Sequence, residues 1–233
     1  MGKLLAVLLV FVFSGLCSQN SAKEVHLYAT EVYGSDDLLI NGSVYYPLHP
    51  VAFGDPFLIE NQFHKAHLVL QGREFNDVLL KFDVEQQKLI LKGFLDSLKF
   101  EIIVLADSYV KEFYFHNRHF VNISNLLETN SQKGFYELIY DGDFVFVKQY
   151  EKEFLAMYSN RYPHGKYSQT KVEKFIIKDN MKFKINNKKS LYSIFPDKKI
   201  LIRKFMKDQK IKLRKASNES LNLLMKYIDE VSD

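Results

Sequence analysis

The sequence predicts a mainly β domain of the α+β class. It is a curled or barrel-like antiparallel sheet of about nine to eleven strands built from hairpins, with two or three C-terminal helices at about 188–231. Three observations predict it. Residues 72–93 read as a hairpin, VLLKFD and KLILK around Glu85-Gln86-Gln87. Its first arm puts Val78, Leu80 and Phe82 on one face and Leu79, Lys81 and Asp83 on the other, the period of a half-buried strand. Phe (20) and Tyr (14) carry all the aromatic content in the absence of Trp, and both favour strands. After Asn187 the apolar spacing changes to that of amphipathic helices.

The chain opens with Lys3, an apolar run over 4–13, and the small residues Ser14, Gly15, Cys17 and Ser18. This reads as a secretory signal peptide over 1–18, with Gln19 first after cleavage. Leu16 stands where a lipoprotein signal has a small residue, which disfavours lipidation of Cys17, and Ala6 disfavours myristoylation at Gly2. Cleavage would remove the lone cysteine, so the mature chain is expected to form no disulfide, and at this length its core suffices without one. No later window approaches about eighteen uninterrupted apolar residues, so no transmembrane helix is expected there. Residues 19–233 are expected to form a single β-rich domain.

Residues 21–37 are compositionally mixed and read as a docked arm. A strand over 38–46 is interrupted by Asn41-Gly42. Pro47, Pro50, Gly54 and Pro56 then predict an ordered loop, because proline removes ladder donors. A strand over 66–71 turns at Gly72-Arg73 into the hairpin described above. The mostly apolar stretch 98–106 predicts a central strand covered on both faces. Further hairpins follow: 110–116 with 119–123 about Asn117-Arg118, 134–140 with 144–150 about Asp141-Gly142, and 171–178 with 181–185 about Asp179-Asn180. The last turns Met181, Phe183 and Ile185 inward, and a polar loop with Pro163 and Gly165 spans 161–170. A short helix over 190–195 stops at Pro196, and a second over 197–207 carries the stripe Leu201, Ile202, Phe205 and Met206. Ser217 or Asn218 caps a third, with Leu221, Leu224, Met225 and Ile228 on one face. Such helices need the sheet to cover that face.

The formal net charge of +4 conceals a split. Residues 1–160 hold 13 Lys and Arg against 20 Asp and Glu, and residues 161–233 hold 19 against 8. A basic C-terminal third suits a solvated face first, and after that a peripheral contact with an anionic surface, centred on Lys198, Lys199, Arg203, Lys204 and Lys207. Nucleic acid is not expected for an exported chain, and no phosphate-cradling glycine motif occurs.

Chemistry is thinly signalled. His64 and His67, and again His116 and His119, stand three apart. The second pair brackets a turn, yet a metal site needs three or four ligands in defined geometry, and no nearby Cys or HExxH pattern adds one. No GxSxG elbow occurs. Asp36-Asp37 and the Asp141/Asp143 pair fall in turns, where Asp is expected for backbone reasons. No catalytic, cofactor or metal residue is therefore assigned. The aromatics Tyr45, Tyr46, Phe113, Tyr114, Phe115, Phe135, Tyr136, Phe144 and Phe146 either fill a core or line an apolar cavity. Asn41, Asn122 and Asn218 stand in glycosylation sequons.

The ordered motifs LLINGSVYYPLHPVAFGDPFL, G-x-x-F-x-x-V-x-L-x-x-D, GFYELIYDGD, KKSLYSIFPDKK and LMKYID resemble a group of exported Bacteroidota-type proteins without an assigned activity. The resemblance covers about 38–229, and GFYELIYDGD and IFPDKK are its most specific pieces. It implies export and a single domain, and it supplies no catalytic residue. The group's Gly-His-Pro stands here as Gly54-Asp55-Pro56, so no essential histidine is implied there.

The expected function is a non-catalytic, envelope-associated interaction or accessory protein, periplasmic or at the cell surface, whose partner is an envelope protein. A carrier or sensor of an apolar ligand inside the curled sheet is the alternative, and an uncatalogued hydrolase the weaker one. The first predicts a filled interior and an exposed patch, the second an enclosed apolar cavity, the third converging acid–base groups.

Overall fold

The computed structural model describes residues 42–94, 100–127 and 133–231. The signal-peptide reading, Cys17, the arm over 21–37 and Asn41 lie outside the described residues.

The strands are β1 (Gly42–Val44), β2 (His64–Leu70), β3 (Arg73–Asp83), β4 (Lys88–Phe94), β5 (Phe100–Leu105), β6 (Val110–Phe115), β7 (Arg118–Asn122), β8 (Phe135–Asp141), β9 (Val145–Glu151), β12 (Lys171–Lys178) and β13 (Met181–Lys184). They form one eleven-stranded sheet in the order β1-β5-β4-β3-β2-β6-β7-β8-β9-β12-β13, with every pairing antiparallel. β10 (Phe154–Leu155) and β11 (Lys166–Tyr167) make a separate ribbon. The helices are α1 (Lys188–Ile194), α2 (Lys199–Asp208) and α3 (Asn218–Glu230).

The sheet is curled but open, since β1 and β13 end the order unpaired with each other. Phe82 on β3 and Phe135 on β8 are four strand positions apart. In a flat sheet that is about 19 Å, yet their ring centroids lie 5.9 Å apart. The curl closes over one apolar cluster that runs from Ile103 and Leu105 on β5 to Tyr150 on β9. Phe82, Phe113, Phe120 and Phe135 fill its middle, all fully buried.

On β8 and β9 the inward face divides in two. Phe135 and Tyr150 join the phenylalanine core, whereas Ile139 and Phe146 join a second cluster under the helices. There Ile202 and Met206 of α2, and Leu221, Leu224, Met225 and Ile228 of α3, pack on Ile139, Phe144, Phe146 and Ile176. On the opposite face Ile123, Leu127, Tyr136, Val147, Phe175 and Ile177 form a third cluster. Asn187 and Ser190 cap α1 reciprocally, and the Ser217 hydroxyl accepts the Ser220 amide at the start of α3.

Several local expectations are corrected. β5 lies one strand from the edge, beside the three-residue β1, and Phe100 and Glu101 are exposed, so it is covered on one face rather than two. Two tight turns sit one residue earlier than read, at Gln71-Gly72 and His116-Asn117, where both residues have positive φ. That left-handed pair is what the turn of a twisted hairpin needs, and it leaves Arg118 in β7, paired with Phe115. Asp179-Asn180 turns as expected. Met181 is exposed rather than inward, and Lys182 instead lies over the Phe175 ring at 4.5 Å.

The Asp141-Gly142 turn also differs, because Asp141 pairs with Val145 and leaves a three-residue loop. Phe144 must point inward, where it is buried 5.0 Å from the Phe195 ring. Gly142 is needed for close approach rather than for positive φ: a Cβ there meets the Asp229 carboxylate and the Tyr140 hydroxyl. That carboxylate accepts from the Tyr140 hydroxyl and from the Asp143 amide at 3.1 Å, so it is not free to retreat. Burial, then Asp229, pushes the Tyr140 phenol up to about 12, which keeps it a donor at neutral pH. Gly142→Ala is expected to destabilise the fold by about 1–3 kcal/mol, and thermal unfolding against wild type checks this.

Candidate functional site

The four histidines read from the sequence line one open cleft of about 860 Å³, together with Lys65, Asn76, Asp77, Tyr114 and Asn117. Sheet register groups them across strands rather than by sequence neighbour. His64 meets His116, with ring centroids 4.2 Å apart. His67 pairs with Tyr114, and Tyr114 with His119, so the phenol lies between two imidazoles on the outer face. Tyr114 and His119 are stacked at 4.2 Å. His67 Nδ1 bonds Asn76 at 2.7 Å, and His119 Nε2 bonds Glu112 at 2.9 Å.

His64 Nε2 is buried without a hydrogen-bond partner, 3.6 Å from Glu60. Burial first, and His116 next, hold His64 below the usual imidazole value against the pull of Glu60. Among the described residues no three or more His, Cys, Asp or Glu side chains are grouped to hold a metal ion. The cleft presents imidazoles and amides beside Lys65 and Asp77, with no serine, threonine or cysteine in its lining. Its one hydroxyl is the Tyr114 phenol, which burial, then Glu112 and Glu74, push upward in pKa.

A second polar group, missed in the sequence, lies between the two inner clusters. Glu137 on β8 and Lys148 on β9 are register partners, and both are buried. Arg118 Nε donates to Glu137 at 2.6 Å and its second nitrogen at 3.2 Å. The Tyr150 hydroxyl donates at 2.5 Å and the Asn218 amide at 2.8 Å. Lys148 reaches the network by donating to the Asn218 side-chain oxygen. Arg118 also lies over the Tyr150 ring at 4.5 Å. Burial alone raises the Glu137 carboxyl pKa, but the Arg118 hydrogen bond and charge, with Tyr150 and Lys148, outweigh it and hold the group below its usual range. Lys148 is held below the usual lysine value by burial, against Glu137. Every named charge is met by a partner across strands or from α3, an arrangement that fixes register and helix docking. The asparagines of two sequons are occupied by such contacts. Asn122 is buried and donates to Asp107 and Val110 carbonyls, and Asn218 belongs to the Glu137 network, so neither is open to glycosylation in this fold.

The aromatics named as core or cavity lining divide among the clusters. Phe113, Phe115 and Phe135 enter the phenylalanine core, Phe144 and Phe146 the helix-covered cluster, and Tyr136 the outer one. Phe113 stacks on Phe120 at 4.9 Å and meets Phe135 edge-on at 5.3 Å. Ring against ring, they fill the middle of the curl. Tyr45 instead donates to the buried Asp83 at 2.8 Å, and Tyr46 is exposed.

Tyr46 belongs to a third surface. The proline-rich loop after β1 and the loop around β10 and β11 interlock. Phe53 bonds Gly165 and Tyr167 through backbone at 3.0 and 2.9 Å, and His49 stacks on Phe154 at 3.6 Å. Gly165, at φ +76, lets the backbone pass the Phe154 ring, which a Cβ would meet at 2.5 Å. Lys152 ties the base by donating to the Asp55 carbonyl at 3.0 Å. These loops expose Tyr46 (75%), Leu48, Val51, Phe53 (58%), Met157 and Tyr158. Six large apolar side chains thus stand exposed on two loops that are bonded to each other.

The cations named in the basic C-terminal third divide between α2 and the residue that precedes it. Lys199, Arg203, Lys204 and Lys207 are exposed on α2, while Lys198 donates to the Ile228 carbonyl at 2.9 Å. Among the described residues no helix is long and apolar enough to cross a membrane. Compared with known proteins, the chain matches no family model, no characterised protein and no solved structure.

Proposed function

We propose that this chain is an exported, non-catalytic interaction or accessory protein of the cell envelope, periplasmic or at the cell surface, and that it engages a partner protein through its interlocked-loop end. The observation that carries this reading is the group of six large apolar side chains exposed on two loops that are otherwise firmly bonded together. Loops held rigid while presenting aromatic anchors lose little entropy on binding. The apolar run over 4–13 after Lys3 supports export, and the resemblance to exported Bacteroidota-type proteins supports the envelope. The basic C-terminal third suits an additional contact with an anionic surface. The carrier alternative would need space inside a curl whose middle holds packed phenylalanine rings.

Photo-crosslinking in the native envelope tests this, with a photoreactive residue at Leu48 or Phe53 and a control at the exposed Met181. A discrete protein adduct from the loop positions and none from position 181 is expected, and Phe53→Asp should reduce the adduct from Leu48 by about tenfold or more. Adducts equal at both sites, or confined to this chain's own residues 19–41, would overturn the proposal.

A further inference from the structure

The outward face of α2 carries a feature its packing does not require. Ile202 and Met206 turn inward, fully buried, and Phe205 stacks on Tyr227 at 4.0 Å. Ile200 stands opposite them and is 80% exposed. Arg203, Lys204 and Lys207 follow it at i+3, i+4 and i+7, all exposed, so the isoleucine heads a stripe of three cations on one helix face. Leu201 beside it is 43% exposed. Residues 197–215 hold nine Lys and Arg against Asp197 and Asp208. Among the described residues Lys199, Arg203, Lys204 and Lys207 form no ion pair. A helix face meant only for water explains the cations but not an exposed β-branched aliphatic on the same stripe.

From this placement we infer that the α2 face docks on an anionic phospholipid surface, with Ile200 and Leu201 entering the headgroup boundary and Arg203, Lys204 and Lys207 meeting phosphates. The charge complementarity selects the occupant, and the exposed aliphatics distinguish a lipid layer from a soluble polyanion. The contact is shallow, because the apolar stripe of α2 is already committed to the sheet. It therefore depends strongly on salt and on anionic lipid content. The inference rests on the envelope reading and names the surface at which the chain would sit. It is compatible with the loop end, since the helices pack on Phe144 and Phe146 at one end of β9 while Lys152 beyond its other end holds the loops, about 23 Å of strand between them.

Co-sedimentation of the exported chain with phosphatidylcholine vesicles, with and without phosphatidylglycerol, tests it. Binding is expected only with phosphatidylglycerol and should fall with added salt. Each cation near such a surface contributes about a fivefold factor, so Arg203→Glu with Lys204→Glu should weaken binding about thirtyfold or more. Ile200→Ser, at unchanged charge, should weaken it about tenfold. Lys65→Glu, a single charge reversal on β2 rather than α2, should leave it within about twofold. Equal binding to both vesicles, indifference to Ile200→Ser, or an equal loss in Lys65→Glu would overturn the inference. Capture of a DNA duplex with the same dependence on Arg203 and Lys204 but none on Ile200 would do so too. Loss of vesicle binding with the Phe53 crosslinks intact would remove this surface alone, and the opposite result would remove the loop-end reading alone.

Discussion

Glu137→Ala is expected to destabilise the fold by about 3–5 kcal/mol, because it strands buried charges rather than merely removing one. Glu137 takes hydrogen bonds from Arg118, Tyr150 and Asn218, and Lys148 lies across from it in register. Without the carboxylate, Arg118 and Lys148 are left under the helices with no anion between them. Replacing Arg118, Glu137 and Lys148 together by leucine should cost less than the single change, since no uncompensated charge remains. Denaturant unfolding of both variants measures the difference, and a triple variant less stable than Glu137→Ala would refute the electrostatic account.

The same group sets a pH dependence. Its folded pKa is depressed, so its stabilisation is complete above the unfolded value near 4.5 and is lost as pH falls through the lower folded value. Wild type should therefore lose stability on acidification below about pH 4.5, and Glu137→Gln should lose less over the same range.

Phe113→Ala is the second large effect, at about 3–5 kcal/mol. The ring is fully buried, stacked on Phe120 and met edge-on by Phe82 and Phe135. These four rings come from β3, β6, β7 and β8, so no single strand can move to close the gap. The variant should also acquire a dry cavity that takes up a small aromatic such as benzene, which the wild type should exclude. Isothermal titration of benzene against both proteins checks this. Stabilisation of the wild type by benzene would mean that the curl already encloses space.

The alternation in VLLKFD and the spacing of Leu221, Leu224, Met225 and Ile228 made the hairpins and the last helix legible, because each signal is local and periodic. The Glu137 network left a trace that periodicity could have found. Phe135-x-Glu137-x-Ile139 and Phe146-x-Lys148-x-Tyr150 put opposite charges at inward positions on adjacent arms of one hairpin. Asn218 reads locally as a cap or sequon, because its partner Glu137 is 81 residues away. His116 and His119 read as one pair, whereas the turn at His116-Asn117 sends the first to His64 and leaves the second on the outer face. The loop end was invisible for a similar reason: Phe53 and Gly165 are joined only by tertiary bonds. Local pattern gives the elements, and the curl and the loop pairing decide which surfaces they expose.

Phenylalanine rings fill the interior of the open curl, and the proposed function places the protein's work on its outer surfaces. Native mass spectrometry of the chain extracted from its own envelope tests that most directly. The account predicts the bare mass of the polypeptide for the free chain, together with a complex carrying a second protein that disappears in Phe53→Asp. A stoichiometric apolar small molecule retained by the folded chain would contradict it.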